Sequence, residues 1–175
     1  MRTDWRISSF NGVLLAAYFI PTWTIVACRI MISPIQGLYE RPNVSVALFI
    51  SDHLQLAAMT TVRLAWLLAL GKLIVVGFFA IFVVLITRPS IRRAGGCNEA
   101  LAMALAIGSV ISFVSMLMAS QVGESQALKL HATELLILLG TAIVLLVERP
   151  APPETDHSTA SADLSLEQSQ LANNR

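Results

Sequence analysis

Three ionisable side chains stand inside apolar stretches of this 175-residue sequence: Arg29, Lys72 and Glu134. Lys72 is the plainest case, because it lies well within "RLAWLLALGKLIVVGFFAIFVVLITR", which runs from Arg63 to Arg88. An isolated charge at the centre of a membrane span costs roughly 2.5 to 3.5 kcal/mol on insertion scales, so such groups pair, face a packed interior or reach for the interface. Depth can be counted at about 1.5 Å per helical residue. Lys72 is 14 residues from Ile86 and Glu134 is 13 from Val147, which places them about 21 and 20 Å from the same boundary. Arg29, counted from Val13, comes to about 24 Å. An intramembrane charge layer of Lys72, Glu134 and Arg29 is therefore expected, with Arg63 above it at the edge. Within it, matched depth predicts an ion pair between Lys72 and Glu134. The simpler alternative for Lys72 is a flexible stem that snorkels to the nearer interface without a partner, and for Arg29 and Arg63 a role as interface anchors.

Other reactive groups are few. The sequence has three histidines and two cysteines. His53 and His131 both fall near the outer edge, which formally permits a shared metal or haem, but no cysteine or carboxylate spacing accompanies them. Cys28 and Cys97 fall on opposite sides of the expected topology, which disfavours a disulfide, and no CxxC pattern occurs. No clustered nucleophile and base, paired-carboxylate metal site or facing pair of histidine ligands is evident. The expectation is a protein that is not an enzyme, has no catalytic residues and carries no cofactor or metal. A formal net charge of +1 without a basic block removes nucleic acid from the expected partners.

These side chains need elements to hold them, and composition says which. With 55% hydrophobic and 13% charged residues, and a mean hydropathy of +0.70, the chain is too apolar for an ordinary soluble domain. About 20 apolar residues cross a hydrocarbon core of about 30 Å. Four runs reach that length or approach it: about 12–32, 61–86, 100–119 and 131–147. The last is the shortest, and its start falls between Gln126 and His131. The runs are continuous rather than alternating, so an all-α, four-span integral membrane bundle is expected over 1–148. Arg88, Arg92 and Arg93 cluster in the second connector, which makes that loop cytoplasmic by the positive-inside rule. An even number of crossings then puts both termini inside, Arg2, Arg6 and Arg149 included. Arg41 and Arg63 on the outer side run against the rule. A competing reading takes "IVAC", ending at Cys28, as a lipoprotein cleavage box. Asn11 and Pro21 interrupt that core, and "RIMI" continues it past the cysteine, which favours a retained first helix kinked at Pro21.

Between the first two spans, Asn43 after Pro42 reads as a helix cap. Val46, Phe49, Ile50, Leu54 and Ala57 recur at helical spacing, so an amphipathic helix over about 43–58 is expected at the outer interface. The alternation in "NVSVALF" leaves a short strand as the alternative. In the third span, Gly108, Ser112, Ser115 and Ala119 share one side of the helix and form a helix-packing face, a polar pore lining being the alternative. Residues 149–175 are rich in Pro, Ser and acids, and read as a disordered cytoplasmic tail.

The function expected from all this is a non-catalytic membrane protein, an accessory, assembly or scaffold subunit, in a bacterial inner membrane. Its partners would be the lipid bilayer and other membrane proteins or further copies of itself. A small ion- or proton-coupled transporter or channel component is the alternative, motivated by the charge layer.

Overall fold

The computed structural model describes residues 7–88 and 97–148. Arg2, Arg6, Arg92, Arg93, Arg149 and the expected disordered tail lie outside the described residues. Within them all regular structure is helical. Four helices are long and apolar enough to cross a membrane: α1 (Ile7–Ile32), α4 (Ala58–Ile86), α5 (Cys97–Val122) and α6 (Ser125–Val147). Each is longer than the apolar run read from the sequence, because polar turns such as "CNE" and "SQALKL" continue the helix beyond it. Between α1 and α4 come two short helices, α2 (Pro34–Leu38) and α3 (Val44–Phe49), then a π-helical turn, Ile50–Leu54. "NVSVALF" thus contributes to a helix and not to a strand.

The long helices pack in a ring, α1 on α4, α4 on α5, α5 on α6, and α6 back on α1 along a shorter seam. Two apolar clusters fill the ring. Nearer the end where α4 and α5 connect, Phe19, Phe79, Phe82, Leu101 and Leu105 are fully buried, with Phe19 stacked on Phe79 at 5.6 Å between centroids. Toward the other end, Ile30, Leu38, Ala47, Ile50 and Ala69 form the second cluster. Pro21 lies inside α1, which runs through it unbroken.

Several local features fix the ring. Ser8 donates its backbone N–H to both oxygens of Glu148, at 3.3 and 3.2 Å, and its hydroxyl to Oε2. A carboxylate from the end of α6 thereby caps the start of α1, where free N–H groups and the helix dipole favour negative charge. Gly123 adopts φ 74° after α5, and the Glu124 N–H closes back on the Ala119 carbonyl, a glycine-dependent helix stop.

The connection between α1 and α4 differs from the interfacial amphipathic helix expected there. The chain turns back at Ser33 and re-enters the space between the long helices. α2 lies on α1 and α4, and α3 packs on α5. Asn43, Ser45, Val46 and Ala47 are buried, whereas Leu54 and Ala57 of the expected apolar stripe are exposed. Helical periodicity fails after Phe49, because the chain widens into the π turn and stops at Gln55 with φ 43°. Close approach of this segment depends on Gly37. A Cβ there would sit 2.7 Å from the backbone N and Cα of Ile30. Gly37→Ala should therefore cost about 1 to 3 kcal/mol, as overpacking does. Gly77→Ala, where a Cβ meets nothing within 4 Å, should leave stability level or slightly raised. Thermal unfolding of both variants in micelles checks the contrast; equal midpoints would show that the segment does not lie on α1.

Candidate functional site

Between the two apolar clusters lies a layer of buried polar side chains contributed by α1, α4, α5, α6 and the returning segment. Lys72 is 3% exposed and Glu134 is 6% exposed, so neither snorkels to the surface. The Lys72 ammonium donates to Asn43 Oδ1 at 2.7 Å and lies 5.5 Å from the centroid of the Trp23 ring. Asn43 donates its amide to the Gly37 carbonyl at 3.1 Å. On the other side of the indole, Trp23 Nε1–H points to Glu134 Oε1 at 3.4 Å, and Ser112 Oγ–H to Oε2 at 3.4 Å. Both are long for hydrogen bonds, and the shorter contact is His131 Nδ1 to Glu134 Oε2 at 3.1 Å. His131 Nε2 in turn lies 3.0 Å from the Pro42 carbonyl.

The Lys72–Glu134 ion pair expected from matched depth is thus not a direct one. The two groups share the layer, but Asn43 takes the ammonium, His131 takes the carboxylate, and the Trp23 indole joins them. Arg29 stands apart from the layer. Its guanidinium pairs with Glu40 Oε1 at 2.8 Å, with 60% of its side chain exposed. Arg63 is exposed as well. Asn43 occupies the cap position of α3 as read from sequence, but its side chain caps nothing and serves Lys72 and Gly37 instead. Gly108, Ser112, Ser115 and Ala119 are all buried. A Cβ on Gly108 would touch Leu138 at 3.4 Å and Val75 at 3.6 Å, so that face meets α6 and α4.

Hydrogen-bond accounting constrains the protons. The Pro42 carbonyl only accepts, so His131 Nε2 must carry a hydrogen. Nδ1 then either donates to a carboxylate, which makes the ring an imidazolium, or accepts from a protonated Glu134. The Lys72 ammonium is held by Asn43 and the face of Trp23.

Glu134 also borders a groove of about 670 Å³ along the seam of α1 and α6, with Asn11, Tyr18, Ile137, Gly140 and Thr141 among its walls. No other described group matches a metal site: no set of three His, Cys, Asp or Glu is placed to hold an ion among the described residues. His53 stacks on Phe49 at 4.8 Å. Cys28 is exposed, Cys97 is buried, and both are free. Sequence reasoning found Lys72 and Glu134 and missed Asn43, Trp23 and His131 as their partners. The chain matches no family model, no curated protein and no solved structure.

If Asn43 is the ammonium's partner, Lys72→Met strands a buried acceptor and should cost about 1 to 3 kcal/mol. In double-mutant cycles, Lys72→Met should couple more strongly to Asn43→Leu than to Glu134→Gln, direct neighbours coupling by about 0.5 to 3 kcal/mol. The reverse order in denaturant unfolding would restore the direct ion pair.

Proposed function

We propose that this protein is a non-catalytic integral membrane component, an accessory, assembly or scaffold subunit, that works by presenting helix surfaces to other membrane proteins or to further copies of itself. The reading includes insertion in a bacterial inner membrane with both termini on the cytoplasmic side. The observation that carries it is the mutual satisfaction of the buried polar layer. Lys72, Asn43, His131 and Glu134 each bond to a group inside this chain. Groups bound in this way stabilise a shape and leave the outward faces to do the binding. Those faces are apolar: Leu136 and Val147 on α6 are 73 and 78% exposed, and Met59 on α4 is 70% exposed. In a bilayer, partner helices recognise such faces through packing rather than through a hydrophobic driving force.

A second reading draws on a specific feature, the contact of His131 with Glu134 beside the groove between α1 and α6. A buried ionisable side chain at the edge of an opening is the kind of element an ion- or proton-coupled transporter uses.

Two measurements separate the readings. Isolation from native membranes in gentle detergent should recover the same companion proteins, or an oligomer of this chain, in repeated preparations. Recovery of a lone monomer each time would contradict the accessory reading. Purified protein in liposomes should show no proton-driven uptake that Glu134→Gln abolishes; such uptake would favour the transporter.

A further inference from the structure

Arg63 has no hydrogen-bond or ion-pair partner among the described residues, and its position along α4 is informative. Counting 23 residues back from Ile86 puts it about 35 Å from the inner end of the helix. That is about 5 Å beyond a hydrocarbon core about 30 Å thick, at the level where lipid head groups lie. Arg63 itself walls a groove of about 620 Å³, together with Met31 from α1 and Met59, Leu67, Leu70 and Leu73 from α4. Trp66, 57% exposed, stands beside it as an amphipathic ring suited to the interface. The distance from Arg63 to Leu73 is ten residues, about 15 Å of helix, which is half the thickness of a hydrocarbon core.

We propose that this groove binds one phospholipid with a net negative head group, its phosphate on the Arg63 guanidinium and one acyl chain along Met31, Leu67, Leu70 and Leu73. Charge complementarity chooses the occupant. A guanidinium free of protein partners presents its fork of donors to a phosphodiester in bidentate fashion, and a wall without acidic residues does not compete for it. A polar or soluble ligand would leave the apolar floor unfilled. The other outer-side arginine in the ring, Arg29, is already engaged by Glu40 and does not duplicate the site. Arg41 is exposed but lies outside the groove, which makes it a control.

The full-length protein, purified in a non-ionic detergent, is titrated with dioleoyl phosphatidylglycerol or dioleoyl phosphatidylcholine at equal mole fraction. Retained lipid is counted by native mass spectrometry. The site predicts about a fivefold preference for phosphatidylglycerol, the scale of one basic residue acting at an anionic surface. Arg63→Gln should abolish the preference and Arg41→Gln should preserve it. Leu70→Trp, which fills the groove, should reduce retention of phosphatidylglycerol while leaving helicity intact. Equal retention of the two lipids by the unaltered protein overturns the proposal without reference to any variant. A preference that survives Arg63→Gln, or that Arg41→Gln removes as well, overturns it too.

Discussion

An apolar interior gives an ammonium group nothing to bond, and Lys72 stands buried near the middle of the 29-residue apolar helix α4. The rest of the structure is arranged around that constraint. The connection after α1 does not run along the surface but folds back between the long helices, and brings Asn43 Oδ1 to 2.7 Å from the Lys72 ammonium. Asn43 is held from behind by the Gly37 carbonyl, and Gly37 can lie where it does because it has no side chain to strike the Ile30 backbone. A second tie, from the Pro42 carbonyl to His131, fixes the same segment to α6. A single residue at one depth thus constrains where the returning segment lies, because a buried cation left without an acceptor is destabilising, while the packing of Leu38, Ala47 and Ile50 offsets the ordering of the segment itself.

The polar layer also separates the apolar interior into two clusters, with Lys72, Ser112 and Glu134 between them and Trp23 at the edge of the first. Such a layer is a device for register. Sliding α4 or α6 by a turn would carry Lys72 or Glu134, both buried, into an apolar cluster, so only one vertical alignment of the helices satisfies them. The Ser8–Glu148 contact supplies the same alignment at the opposite end, where α6 finishes against the start of α1. Between these two fixed points the seam of α1 and α6 remains the least closed side of the ring, and Glu134 lies at its edge.

What the amino acids disclosed in advance follows from what is local. Continuous apolar runs announce four helices, and counting residues at constant rise places Lys72 and Glu134 at one level. The small side chains of α5, Gly108 to Ala119, declare themselves by spacing alone, since a helix puts them on one side whatever it meets. Partner choice is not local. Asn43 after a proline looks like any helix cap, and only the return of its segment into the ring brings it to Lys72. His131 looks like a solitary residue near an edge, although Glu134 three positions on lies on the same face and is a partner that helical geometry offers. Depth alone groups Arg29 with the charge layer, but Glu40 in the adjoining turn claims it, and turns in this stretch carry no period from which to read their direction. The amphipathic stripe from Val46 to Ala57 misled for a related reason: a π turn breaks the helical repeat at Ile50, and half of the stripe rotates outward.

Lys72 pins the segment after α1 inside the ring of helices. Amide hydrogen exchange of the protein in lipid nanodiscs, followed by mass spectrometry, reads this directly through the backbone of residues 42–50. Exchange there should be nearly as slow as in the long helices, with a marked acceleration confined to that segment in Lys72→Met. Rapid exchange at 42–50 in the unaltered protein, or an unchanged rate once the ammonium is gone, would contradict it.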